Sequence, residues 1–330
     1  MTTIKDVAKE ANVSVATVSR VLNQSGYVNN NTKKRVEQAI ERLDYQPNSV
    51  ARSLFKKESK TIGFIVPDIS NPFFPMLVRA AEDYLNKKGF TIILCNSDEE
   101  IEKEQEYLNV MKQKYVDGVI AVSNHLTKEQ VESYPMPIVA LDRPIEGDIP
   151  SFSVDNRAGG VMATEYLKEI GCRKIAHIRG PEQVLNATER YKGYVDVVGN
   201  EKWFSSSLVV HGEYDKKIAT QVAKKLLQEQ PDIDGVFAGN DMMALGVLKA
   251  AEELELHVPE DVAVIGFDGI DLTEMTSPEL STISQPLFDV GTKAAMALVD
   301  MIQGRNLSET KNLFPLTLMK RQSTIFRKEV

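Results

Sequence analysis

The chain has 330 residues, 42% hydrophobic and 26% charged, with a net charge of −8, which describes a water-soluble globular protein with material for two or three compact units. No apolar run is long enough to span a bilayer, and the polar start at Thr2, Thr3 and Lys5 offers no signal peptide, so the expected setting is the cytoplasm, away from any membrane. Two scattered thiols, Cys95 and Cys172, make neither a disulfide framework nor a metal site.

The charge is unevenly spread. Residues 1–60 carry eleven Lys and Arg against six Asp and Glu, whereas the remainder is strongly acidic. A basic head on an acidic body suits a phosphate-binding module joined to a soluble sensor. A charged surface without a partner is the plainer explanation.

In the head, Ile4, Val7, Ala8 and Ala11 recur at helical spacing, and Asn12-Val13 breaks the pattern. Ser14 can cap a second helix by accepting a free N–H of the next turn. There Val18, Val21 and Leu22 share one side, and Ala16, Ser19, Arg20 and Asn23 the other. Small residues let a backbone approach a groove, Arg can fork onto guanine, and Asn can pair with adenine. An ordinary surface helix pair has the same spacing. A third helix through Val36, Ala39, Ile40 and Leu43, capped by Asn29 or Asn30, would close a small bundle before Pro47. Asn48 can then cap a short helix over residues 49–55, too brief to stand alone in water.

From Thr61 short Val/Ile-rich runs alternate with amphipathic helices: 62–66, 91–94, 118–122 and 138–141, then 174–178, 207–210, 235–238 and 262–267. Two such series mean an α/β body of two doubly wound parallel sheets, with a cleft at the carboxyl ends of the strands.

Enzyme signatures fail. No phosphate-cradling Gly-rich loop, nucleophile elbow or zinc-binding His pair is present, so no catalytic residue, cofactor or metal is expected. His125, His177, His211 and His257 stand apart, as surface or satisfied side chains. Asp98-Glu99-Glu100 reads as a helix start, where acids complement the dipole. The strand ends carry the chemistry: Asn71, Phe73 and Phe74 after the first, Asp142-Arg143 after the fourth, then Arg190, Asn240, Asp268 and Gln285. Carboxylates accept from hydroxyls, guanidiniums donate to them, and aromatic faces cover C–H surfaces, which suits a small polyhydroxylated ring held between Phe73 and Phe74. Singly, the phenyl pair reads as core, Asp142-Arg143 as a surface ion pair, and Asn240 as a cap.

Thr3-Ile4-Lys5-Asp6-Val7-Ala8, the run Val13 to Asn23 and the run Pro47 to Leu54 together resemble the lac-repressor (LacI/GalR) family, and the likeness continues to Arg321-Gln322-Ser323-Thr324. That resemblance implies an all-α helix-turn-helix head (1–46), a hinge helix and linker (47–60), and a periplasmic-binding-protein-like (type I) effector domain (61–330). Three crossovers would join its subdomains, one of about 61–157 with 286–312, the other of 158–285 with 313–330. It further implies palindromic operator DNA read by Ser14, Val15, Ala16, Thr17, Ser19, Arg20 and Asn23, with Asn48, Ala51 and the wedge Leu54 in the minor groove. The implied assembly is a homodimer or tetramer. The pocket positions resemble those of ribose-binding protein and ribose-operon repressors, which implies a repressor released by ribose. Another pentose, a phosphosugar or a phosphorylated carrier protein is the alternative co-regulator, and a sugar-transport protein shares the body without the head. Val15-Ala16 departs from the lac and purine members, so their operator sequence does not transfer, and Phe55 stands where some relatives have a basic residue, so one of their minor-groove contacts does not transfer either.

Overall fold

Local caps and apolar stripes account for three helices among the described residues of the head. A computed structural model describes residues 2–23, 25–45 and 58–325, and the chain divides into two units, Met1–Ser59 and Lys60–Val330. Helix α1 (Ile4–Glu10) opens where the Asp6 carboxylate accepts from the Thr3 N–H and hydroxyl, at 2.8 and 2.7 Å. It ends at Asn12, whose φ of +48° turns the chain. Ser14 Oγ accepts from the Thr17 N–H at 3.1 Å to start α2 (Val15–Asn23), and Asn29 caps α3 (Asn30–Arg42). Val7, Ala8, Ala11, Val18, Val36 and Ala39 are buried together, with Val21, Leu22 and Ile40 packed around them.

The second unit holds two six-stranded sheets. Its first half runs β1 (Thr61–Val66), α4 (Phe73–Lys87), β2 (Thr91–Asn96), α5 (Ile101–Gln113), β3 (Gly118–Ala121), α6 (Lys128–Ser133), β4 (Ile138–Leu141) and β5 (Ser151–Val154). The second runs α7 (Asn156–Glu169), β6 (Ile175–Arg179), α8 (Leu185–Val198), β7 (Val209–His211), α9 (Lys216–Glu229), β8 (Gly235–Ala238), α10 (Asp241–Glu253), β9 (Ala263–Asp268) and β10 (Ser281–Ser284). Helix α11 (Leu287–Ile302) then packs back among the first half's core residues, before β11 (Lys311–Phe314) and β12 (Thr317–Met319).

The sheet orders are β11-β5-β4-β3-β1-β2 and β12-β10-β9-β8-β6-β7. All pairings are parallel except β10 with β12. Both sheets therefore reverse direction of winding beside their first strand, which is where a doubly wound sheet opens a crevice. The chain passes between the halves three times, and the last passage falls after Phe314, because residues 311–314 add the sixth strand to the first sheet. The boundary expected at 312 thus lies inside a strand. Among the described residues no helix is long and apolar enough to cross a membrane.

Candidate functional site

On the head, α2 turns Val15, Ala16 and Arg20 outward, Val15 with 41% of its surface exposed. The other expected contacts are partly engaged within the head. Ser14 and Thr17 share the cap, their hydroxyls 2.9 Å apart, and the Asn23 amide donates to the Ser19 carbonyl at 2.9 Å. The Arg20 carbonyl accepts from the Ser25 N–H at 3.0 Å, but its guanidinium makes no hydrogen bond or ion pair among the described residues, so its donors are available. Asn48, Ala51 and Leu54 lie outside the described residues.

In the second unit a cavity of ≈ 320 Å³ opens between the halves, at the small end of the roughly 300–1,000 Å³ usual for ligand pockets. Asn71, Phe73, Phe74, Asp142, Arg143, Arg190, Asn240 and Asp268 all line it. Gln285 does not. Its amide stands behind and donates to Asp268 Oδ1 at 2.9 Å.

Asp268 ends β9 with a φ of +118°, which turns its carboxylate out of the strand. It meets Arg190 at 3.1 Å. That guanidinium also donates to Asn156 Oδ1 at 2.8 Å and the Gly239 carbonyl at 2.6 Å, and lies 3.7 Å above the Phe267 ring centre. Behind them Asp241 is fully buried, accepting from the Gly269 and Ile270 N–H groups at 2.7 and 2.9 Å and from the Thr282 hydroxyl at 2.6 Å. Burial raises the affinities of Asp241 and Asp268 for protons above the ordinary carboxylate range, and their mutual repulsion adds to the rise at Asp241.

From the first half, Asp142 sits at φ +65° just past β4, where burial likewise raises its carboxyl, opposed by Arg143 and Arg190. Its Oδ2 accepts from the Asn186 amide across the cleft at 2.9 Å, while Oδ1 is buried without a partner. Arg143 is 4% exposed and donates to both oxygens of Glu99, at 2.7 and 2.9 Å, leaving Nε 3.7 Å from Asp142 Oδ2 and without a hydrogen bond. Asp142 and Arg143 are therefore not a surface pair. The Tyr214 hydroxyl is a third buried polar atom on this cavity without a partner, pushed up to about 12 by burial. Buried polar groups are rarely left unpaired, so three orphans on one cavity mark a place for donors and acceptors from a ligand.

Two readings change. Phe73 and Phe74 touch edge to face, their centres 5.1 Å apart, so no space is left between them for a ring. Asp98 and Glu99 do not belong to the first turn of α5, since both take left-handed backbone angles before the helix begins at Ile101. Asn240 keeps both roles, capping α10 through the Met243 N–H at 2.8 Å while lining the cavity. Glu99, Asn186 and Tyr214 join the site unforeseen. Asn186 lies four residues before Arg190 on one helical face, and Glu99 and Tyr214 each follow a strand end, which is the signal that found the others. His177 is elsewhere, buried against Tyr194 and Phe237, its Nδ1–H donating to the Phe237 carbonyl at 2.9 Å, and its imidazole is pushed down to about 3 by burial.

Residues 3–48 match the description "Bacterial regulatory proteins, lacI family", and residues 164–324 match "Periplasmic binding protein-like domain". A ribose operon repressor of Halalkalibacterium halodurans is 47% identical over 98% of this chain and 97% of its own length. Among solved structures, a LacI family transcriptional regulator from Enterococcus faecium with bound ribose is 32% identical, with a TM-score of 0.72 over 80% of this chain and 98% of its own. The lac repressor dimer bound to operator and the anti-inducer ONPF aligns with a TM-score of 0.88 at 26% identity, over 98% of this chain and 99% of its own.

Proposed function

The chain belongs to the lacI family of bacterial regulatory proteins, and we propose that it represses a sugar-utilisation operon and leaves the operator when ribose, or a close pentose relative, occupies the cleft. The observation that carries this reading is the set of orphan polar atoms at Asp142 Oδ1, Arg143 Nε and the Tyr214 hydroxyl, gathered with two guanidiniums and an aromatic pair in one small cavity. A pentose presents hydroxyls that both donate and accept, and one apolar face to lay on Phe73 and Phe74. The similar protein with bound ribose and the repressor named for the ribose operon support the same ligand.

In this reading α2 enters the major groove of a palindromic operator, with Val15, Ala16, Thr17 and Arg20 toward base edges and Ser14, Ser19 and Asn23 at the margin. A homodimer places one head on each half-site, and residues 47–60, with Asn48, Ala51 and Leu54, act at the minor groove between them. Asn71, Asn240 and the four charged groups Asp142, Arg143, Arg190 and Asp268 grip the sugar from both halves of the cleft. A ligand can shift the DNA-bound equilibrium only by its different affinity for the two forms. Gel-shift titration of the full-length protein on a selected operator, with ribose, xylulose, glucose and hypoxanthine in parallel, tests the assignment. Release by ribose supports it, and release by glucose or hypoxanthine alone overturns it.

A further inference from the structure

The mouth of the cleft is acidic. Asp68, Asp98 and Glu99 reach it from the first half, Glu213 and Asp215 from the second, and Asp142 and Asp268 stand deeper. Against these seven carboxylates the cavity offers two guanidiniums, Arg143 and Arg190. Both are engaged: Arg190 by Asn156, Gly239 and Asp268, and Arg143 by both oxygens of Glu99. Lys103 compensates one rim acid, pairing with Asp98 at 2.7 Å, and His211 stands 3.7 Å from Glu213. Even with those two acids set aside, carboxylates remain in excess. Deeper in, the unpartnered Oδ1 of Asp142, a residue 5% exposed, accepts a hydrogen bond while that carboxylate is ionised beside Arg143 and Arg190. It asks for a hydroxyl.

We propose that the cleft takes the uncharged sugar and excludes its phosphate ester, with the acidic rim setting the discrimination; this rests on the sugar-effector reading above. A phosphate monoester carries about −1.5 to −2 charges at pH 7 and offers acceptor oxygens. It would meet Asp142 Oδ1 and the rim as like charges. Drawing Arg143 toward the phosphate would separate that buried guanidinium from Glu99, exchanging one ion pair for another and adding the repulsion of the rim. The signal read is then the sugar before any phosphoryl transfer to it.

Calorimetric titration of the full-length protein with matched pairs tests this: ribose and ribose 5-phosphate, glucose and glucose 6-phosphate, fructose and fructose 6-phosphate. The free sugar of the binding pair should be favoured at least about thirtyfold. The double variant Asp68→Asn/Glu213→Gln should narrow that ratio about tenfold, because each removed charge acts on a nearly dianionic group. Raising the salt to about 0.5 M should narrow the wild-type ratio in the same direction, since rim charges are exposed and screened. A hexose that binds while its ester does not would sink ribose as effector and leave the exclusion standing. An ester that binds as tightly as its parent sugar overturns the exclusion. A ratio insensitive to both rim substitution and salt removes the rim as its cause, and failure of every pair to bind overturns both readings.

Discussion

Single side chains carry the sharpest tests. The Arg20 guanidinium has no partner among the described residues of the head and stands on the exposed side of α2, so Arg20→Ala should weaken operator binding by ~1–3 kcal/mol and relax one base-pair preference. Binding-site selection with the variant would reveal an unchanged consensus and affinity if Arg20 only solvates the surface. In the cleft, Asp268→Ala takes the paired carboxylate from the buried Arg190 guanidinium, leaving it Asn156 and Gly239, and Arg143→Ala leaves Glu99 with the Asn124 amide. Each should abolish or severely weaken the ribose response while operator binding persists, and ribose titrations on bound operator would show whether induction survives. Asp241 makes a pH test. Its folded-state proton affinity is raised by burial, so the stability it contributes is present below the ordinary carboxylate range and is lost as pH rises through the folded value. Asp241→Asn can still accept from Gly269 and Ile270 and donate to Thr282, so it should keep the fold and flatten the fall in stability between pH 4 and neutrality, about one carboxylate's worth on urea unfolding curves. An unchanged slope would mean that Asp241 is ionised throughout. At this scale the strand-end residues were legible because a doubly wound fold puts ligand groups there. Glu99 also follows a strand end but was passed over, since the acidic run 98–100 reads as the start of the next helix and its partner Arg143 is 44 positions away.

Elements aim these side chains. Helix α8 carries Asn186 and Arg190, and it meets α7 backbone to backbone at two glycines. A Cβ at Gly160 would come within 2.3 Å of the Arg190 carbonyl, and one at Gly193 within 2.2 Å of the Arg157 carbonyl. Neither glycine has a positive φ, so the requirement is for space alone. Gly160→Ala should therefore push α8 away, destabilising the protein by roughly 1–3 kcal/mol and weakening ribose binding more than operator binding. Urea unfolding beside calorimetry would contradict this if stability fell and ribose affinity held. The apolar runs of β1, β3, β4, β8 and β9 could be read directly, since a strand covered on both faces needs side chains such as Val and Ile. Strand β5 could not. Its Ser151 and Ser153 are buried, but a hydroxyl-bearing run carries no apolar signal. β11 (Lys-Asn-Leu-Phe) and β12 (Thr-Leu-Met) are edge strands too short to carry a periodic signal, and only their pairing reveals them.

For the whole molecule, the family resemblance supplied what local pattern cannot: that a basic helical head and a two-sheet body act as one regulator. Spacing alone left α2 equally readable as a surface helix pair. Physical linkage then gives a reciprocal expectation. If ribose lowers operator affinity by some factor, operator DNA must lower ribose affinity by the same factor, typically about 5–150-fold in coupled systems. The most direct test is a fluorescence-anisotropy titration of the full-length protein on its selected operator, with and without saturating ribose, repeated with glucose and hypoxanthine. The account predicts that ribose alone weakens operator binding within that range, and that calorimetric ribose affinity falls equally when operator is present. Operator affinity that ignores ribose, while glucose or hypoxanthine shifts it, would contradict the account at its centre.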